Sequence, residues 1–311
     1  MKKVIEPIPR KKILKELNEN TFVRNTNFSN HEIYIINHTN SPDTLLEIGR
    51  LRELTFRNAG GGTGKEVDID DYDTRSEVFY NQLIVWDPDQ NEIIGGYRFI
   101  KGSKAVESSK HSDLATNGLF EFSNDFFQRI LPKTIELGRS FVQPAYQPSS
   151  GNRKAIFSLD NLWDGLGAIV VDNPEIKYFF GKVTMYLDYD KTGRDFILGF
   201  IHHFFQDSQN FVSAKKPLQL HNDISDFLKE IKPLQFPEAY KFLNQNLKQL
   251  NTSIPPLIGA YMNLSSSMKS FGTALNTKFG DVEETGILIS IDDIYPKKKD
   301  RHINSYRNPN K

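Results

Sequence analysis

The chain contains no cysteine. That excludes a disulfide framework, a cysteine-based zinc site and a cysteine nucleophile, and it suits a reducing compartment. Charge of a prevailing sign is also missing: 39 Lys and Arg balance 39 Asp and Glu, so no broad basic field exists to hold nucleic acid. Long apolar runs are missing too. No stretch approaches the roughly 20 apolar residues of a membrane span, and the start, Met1-Lys-Lys-Val-Ile-Glu-Pro-Ile-Pro-Arg10, lacks the apolar run of a signal peptide. These absences lead to the expectation of a soluble cytoplasmic protein with no nucleic-acid partner. No G-x-S-x-G elbow and no H-E-x-x-H occurs either.

What is present is a chain of 311 residues, 38% hydrophobic and 12% aromatic, with 23 Phe. That is enough for a sizeable core in one large domain or two small ones. Residues 1–30 read as a charged, solvated leader. Within it, Lys11-Lys-Ile-Leu-Lys-Glu-Leu17 has the pattern of a short basic amphipathic helix, whose sharper reading is contact with a partner or the membrane periphery. His31–Ile36 alternates and predicts a strand. Ser41 and Pro42 then supply an N-cap and an N1 proline, and Gly60-Gly-Gly-Thr-Gly64 ends the helix. Phe79–Trp86 and Glu92–Ile100, joined by Asp87-Pro-Asp-Gln-Asn91, predict a hairpin. Residues 102–118 read as a polar, mobile loop. Thr134–Val142 predicts a strand, Phe157–Val171 a helix, Lys177–Leu187 a strand and Thr192–Phe205 a helix. Two further helices are expected at about 236–249 and 254–269, before a β-rich end at Thr285–Ile291. The interleaving predicts an α/β class, an α+β sandwich with a mixed, mostly antiparallel central sheet flanked by helices. Residues 31–311 then form the domain, with 208–311 a helical and β-rich C-terminal extension packed on it.

Two short stretches place charges in otherwise apolar surroundings. They are Asp68-Ile-Asp-Asp-Tyr-Asp73 and Ile135-Glu-Leu-Gly-Arg-Ser-Phe-Val142. A buried charge must be paired or put to use. The acidic run fails as an EF-hand loop, because position 6 is Asp73 rather than Gly and position 12 is Phe79 rather than Glu, so no metal site is assigned. It reads either as a solvated acidic loop or as a site whose Asp70 and Asp73 hold cations, and Arg52, Arg98 and Arg139 are available for that. Strand alternation sends Glu136 and Gly138 to one face and Leu137 and Arg139 to the other; a bulge near Gly138 would bring Glu136 and Arg139 together. A structural ion-pair network is the plainer reading of the same residues. Gly60–Lys65 fails as a phosphate loop at Ala59 and Glu66. Gln147-Pro-Ser-Ser-Gly-Asn-Arg153, between a strand and a helix, has the small residues of an anion site, to which Arg153 and Lys154 add charge; a plain connection is the alternative. His202 and His203 read as core-edge residues.

Leu51-Arg52, Phe56, Asp70-Asp-Tyr-Asp73, Tyr80-x-x-Leu83, Gly95-x-x-Arg98 and Glu136-x-x-Arg139-x-x-Val142 occur in that order. The pattern resembles the N-acyltransferase branch of the GNAT superfamily, the ornithine-lipid and glycine-lipid (hemolysin-like) enzymes, and is similar to acyl-homoserine-lactone synthases. The likeness runs from about residue 45 to 205 and continues at Ile254–Tyr261 and Phe279–Ile291, where Thr285 and Gly286 replace the usual Asp and Phe. The resemblance implies a GNAT acyl-CoA N-acyltransferase fold. It also implies transfer of a fatty acyl group, often 3-hydroxyacyl, from acyl carrier protein, or CoA, to the α-amine of an amino acid such as glycine or ornithine, in amino-acid lipid synthesis. Acyl-ACP or acyl-CoA is then a co-substrate, and no cofactor is held permanently. By the resemblance Glu136 is the general base, with Arg139 and Arg98 beside it as catalytic residues. Arg52, Asp70 and Asp73, with Arg98 and Arg139, order the helix–loop and hold the acceptor carboxylate or the donor, and Phe141 and Val142 bind substrate or brace the site. Gln147, Ser150, Gly151, Asn152 and Arg153 take the phosphopantetheine arm, and Arg153 and Lys154 meet the acidic carrier protein. An acyl-homoserine-lactone synthase and a non-catalytic GNAT-like binding protein are the alternatives.

Overall fold

A computed structural model of the chain describes residues 1–107, 113–147, 151 and 157–308. The elements run α1 (Arg10–Glu16), β1 (Phe22–Asn25), β2 (Glu32–Ile36), α2 (Pro42–Asn58), α3 (Asp71–Thr74), β3 (Asn81–Asp87), β4 (Glu92–Lys101), α4 (Gly102–Glu107), β5 (Phe120–Phe122), β6 (Thr134–Val142) and α5 (Ser158–Asp172). There follow β7 (Tyr178–Met185), α6 (Lys191–Phe205), β8 (Val212–Ala214), α7 (Ser225–Ile231), α8 (Phe236–Gln249), α9 (Pro256–Met262), β9 (Lys269–Asn276), β10 (Val282–Ser290) and α10 (Pro296–His302).

Eight strands form one sheet in the order β1-β2-β3-β4-β6-β7-β10-β9, antiparallel except for the β6–β7 pair; β5 and β8 form a separate two-stranded ladder. This is the expected mixed, mostly antiparallel sheet flanked by helices. One face packs Leu83, Tyr97, Leu137 and Val183 against α5, α6 and α8 in the largest core cluster. The other face carries two smaller clusters. One holds Tyr34, Ile84, Trp86 and Phe141 under α1 and α2, and the other gathers Tyr80, Ile100, Phe180 and Leu288 with Phe120 and Phe126.

Several local expectations are corrected. Residues 1–30 are not a solvated leader: Ile13 and Leu17 are buried in the α2 cluster, and β1 pairs with β2. Ser41 sits at the N-cap of α2 but its hydroxyl makes no cap bond. The Glu16 carboxylate caps the helix instead, accepting from Asp43 N at 3.0 Å and Thr44 N at 2.7 Å; its two oxygens satisfy two of the free N–H groups that begin a helix. The supposed mobile loop 102–118 contains α4 and a 3-10 turn over Ala115–Gly118, because Ala105 and Leu114 bury in the Phe-rich cluster. The expected helix over 254–269 stops at Met262 and β9 starts at Lys269. Serine hydroxyls there capture backbone and neighbouring groups: Ser267 N donates to Ser265 Oγ at 3.2 Å, and Ser267 Oγ to Asp293 at 2.6 Å. His202 and His203 are exposed rather than at the core edge.

Candidate active site

β6 and β7 pair in parallel only from Thr134–Leu137 to Tyr178–Gly181. Beyond that point β6 stays with β4 as far as Val142, and β7 stays with β10 as far as Met185. The two strands therefore part, and a cleft opens in the middle of the sheet. Gly138, Arg139, Ser140 and Val142 on one side, and Lys182, Thr184 and Tyr186 on the other, are partly exposed.

The cleft begins beside a bulge. Gly96 faces Phe141 and Arg98 faces Gly138, so β6 uses one residue more than β4 between those pairs. Arg139 takes up the surplus with φ at 50°. Simple alternation would send Arg139 to the opposite face from Glu136; the bulge turns it back. Its Nε lies 2.8 Å from Asp68 Oδ2 and its guanidinium sits 4.2 Å from the centre of the Phe279 ring. The expected bulge thus puts both residues on the cleft side, where each is held by partners of its own.

A polar row crosses this face between the two smaller clusters. Arg52 of α2, fully buried, donates to Gln82 and lies 3.4 Å from Asp73. Gln82 Nε2 donates to the same Asp73 oxygen at 2.8 Å. Arg98 donates to both Asp70 oxygens at 2.9 Å and to Asp73 at 3.4 Å. Asp70 and Asp73 also form the capping box of α3, so one acidic pair fixes the short helix and holds two arginines. Asp68 is brought in by a close backbone crossing: its N–H donates to Gly49 O at 3.0 Å, and a Cβ on Gly49 would meet Val67 Cγ2 at 2.5 Å. Burial works against the charges of Arg98 and Asp73, but they outweigh it for each other: Asp73 and Asp70 hold Arg98 above its ordinary value, and Arg52 and Arg98 hold Asp73 below its own.

Glu136 is 1% exposed. Its Oε2 accepts from the Tyr80 hydroxyl and its Oε1 from Thr116 N at 2.9 Å; the Tyr80 oxygen in turn accepts from Ala115 N at 2.8 Å. Burial pushes the Glu136 carboxyl up, against these hydrogen bonds and the Arg98 charge. Lys182 donates to Glu284, which also accepts from Asn276 Nδ2 at 2.7 Å. Burial lowers Lys182, partly offset by Glu284. Tyr186, beyond the end of β7, is pushed up to about 12, first by burial and then by Glu284.

Arg52, Asp70, Asp73, Arg98, Glu136 and Arg139 thus gather on one face. Phe141 is buried under α2, and Val142 stands at the mouth of the cleft. The Gln147 side-chain amide donates to Val142 O at 2.8 Å, and Gly151 is exposed with φ at 73°. Ser150, Asn152, Arg153 and Lys154 lie outside the described residues. Sequence reasoning missed Asp68, Tyr80, Gln82, Lys182 and Glu284 as site residues. The signal that picked out Glu136 would have found the last two, since each is a charge inside an apolar strand. A Cβ on Gly286 would meet the Phe120 ring at 2.9 Å, so Phe120 of β5 fills the space beside it. A shallow hollow of about 390 Å³ lined by Asp292, Asp293, Tyr295 and Lys299 shares no residue with this site.

Comparison with known proteins gives the family. Residues 51–155 match the acetyltransferase (GNAT) domain family. A glycine N(alpha)-acyltransferase of Bacteroides thetaiotaomicron is 48% identical over 98% of this chain and 91% of its own length. One of the same name from Phocaeicola vulgatus is 48% identical over 98% of this chain and 94% of its own. Two solved structures of a CoA-dependent acyl-homoserine lactone synthase, one with SAM and isopentyl-CoA and one with MTA, give a TM-score of 0.40 at 11% and 12% identity, over 88% of this chain and 89% of theirs. The chain belongs to the N-acyltransferases of the GNAT superfamily and is an acyl-transferring enzyme.

Proposed function

We propose that the protein moves a fatty acyl group from an acyl carrier protein thioester to the α-amine of glycine, in amino-acid lipid synthesis. The observation that carries this reading is the near-full-length identity to two enzymes named for acylating glycine. The site supports the chemistry. The amine lone pair attacks the thioester carbonyl carbon, the oxyanion collapses, the C–S bond breaks and the sulfur leaves as a thiolate, which ends as free thiol on taking up the proton that the amine gives up. One proton must leave the attacking amine, and Glu136 accepts it, directly or through a water; a carboxyl raised by burial is the better base near neutral pH. The edge of β6 that β7 abandons past Leu137 is where the amides of a phosphopantetheine arm would find strand-like partners, with Gln147–Arg153 at its phosphate end. No helix among the described residues is long and apolar enough to cross a membrane; exposed Leu14, flanked by Lys11 and Lys15 on α1, is where peripheral lipid contact would be made.

The test is release of free carrier thiol from 3-hydroxyacyl carrier protein over a panel of amino acids, with acyl-CoA as a second donor and S-adenosylmethionine as a further acceptor. Thiol release dependent on glycine supports the proposal. Release with ornithine alone, or with S-adenosylmethionine alone, replaces the acceptor, and faster turnover of acyl-CoA replaces the donor.

A further inference from the structure

Gly138 lies in the middle of the polar row with a cationic strand neighbour on each side. Arg98 of β4 is its antiparallel partner. On the other side, the parallel register that pairs Leu137 with Gly181 brings Lys182 alongside as the strands begin to part. Cross-strand neighbours point to one face, so the glycine leaves a gap between two cations. A Cβ on Gly138 would meet nothing nearer than Arg98 Nε, at 3.5 Å. Arg98 is only 4% exposed, and that Nε is buried with no hydrogen-bond partner.

Lys182 spends one ammonium hydrogen on Glu284, which Asn276 and Thr184 also hold. An ammonium has three donors, so Lys182 has capacity for a second anion. Arg52 is engaged by Asp73 and Gln82 and Arg139 by Asp68; their Nε atoms have no hydrogen-bond partner either, but it is Arg98 Nε that borders the space over Gly138. Glu136 lies on the same face one pleat repeat along β6, about 7 Å away.

We propose that the niche over Gly138, between Arg98 Nε and Lys182, binds the α-carboxylate of the acceptor amino acid and directs its amine toward Glu136. This rests on the reading of the protein as an amino-acid N-acyltransferase. Cationic N–H donors on the strands either side of a side-chain-free floor suit the two oxygens of a carboxylate.

The test compares glycine with glycinamide, which lacks the negative charge, in the wild type, in Gly138→Val and in the double variant Lys182→Gln/Glu284→Gln, which removes both charges and leaves no unpaired one. In the double variant the preference for glycine over glycinamide in kcat/KM should fall tenfold or more, through the acceptor KM. Gly138→Val should raise the glycine KM tenfold or more without raising the donor KM, and a thermal melt confirms that each variant is folded. A folded double variant that keeps its preference, or an unchanged glycine KM in Gly138→Val, overturns the niche. If the wild type acylates another amino acid instead, the glycine reading fails, and that amino acid and its amide test the niche in the same way. If it acylates none, the transferase reading itself fails. Calorimetric titration of glycine and glycinamide into protein holding an unreactive thioether donor analogue reads the niche without turnover. Equal affinity for the two compounds there sinks the niche.

Discussion

At the scale of single residues, Glu136 differs from every other charge in the polar row. The arginines and aspartates lie against charges of opposite sign, whereas Glu136 is held by a hydroxyl and a backbone N–H and sits where burial favours its protonated form. Replacing it with Gln should lower kcat by about 10²-fold or more while the protein stays folded; near-normal turnover would remove Glu136 from the role of base. The pH dependence follows from the same shift. A base works only when deprotonated, so a raised carboxyl moves the acid limb of kcat/KM upward from the ordinary carboxylate range, and Glu136→Gln should flatten that limb. A wild-type limb at or below the ordinary value contradicts the assignment. The sign for stability is fixed too: the folded state binds this proton more tightly than the unfolded chain, so the contribution is full below the ordinary carboxylate pKa and is lost as pH rises through the folded value.

At the scale of elements, the site is made by two irregularities in otherwise regular strands: the bulge at Arg139 and the parting of β6 from β7. Each exposes part of a strand that would otherwise be buried. Helix contacts elsewhere are tight. A Cβ on Gly167 of α5 would come within 1.9 Å of His302 O in α10, while His302 Nδ1 lies 2.7 Å from the buried Asp164 carboxylate. Gly167→Ala should push α10 off α5 and cost about 1–3 kcal/mol, read as a lowered Tm. An unchanged Tm would mean that α10 docks only loosely.

At the scale of the whole molecule, the first thirty residues matter more than their composition implies. Ile13 and Leu17 each bury a side chain worth about 1.5–3 kcal/mol, and loss of the Glu16 cap on α2 costs about 1 kcal/mol more. A protein of this kind has a net stability of only about 5–15 kcal/mol. Deleting residues 1–20 should therefore give a product that melts much lower or aggregates, checked by thermal unfolding of the soluble fraction. A truncated form that melts like the full chain would mean that α1 is dispensable.

How much was legible in advance depends on the range of the interactions. The bounds of β6 and α8 and the α2 start at Pro42 follow from local pattern and proline, and the structure agrees, although Glu16 rather than Ser41 caps α2. β9 and the 102–118 segment were misread because their burial comes from residues distant in the chain. Among candidate residues, Arg52, Asp70, Asp73, Arg98, Glu136 and Arg139 were found because a charge in an apolar strand or beside one is anomalous in itself. The sequence by itself determined the central strands and most of the helices, several of the charges that meet in the site, and that the chain resembles this family of acyltransferases. Only the tertiary structure decided their partners: that Asp73 serves two arginines, that Tyr80 and Thr116 rather than Arg139 hold Glu136, and that Arg98 and Lys182 flank Gly138 across two strands. The physical reason is that pattern and propensity act over a few residues, while pairing a buried charge requires groups brought together by strand register and by a single bulge.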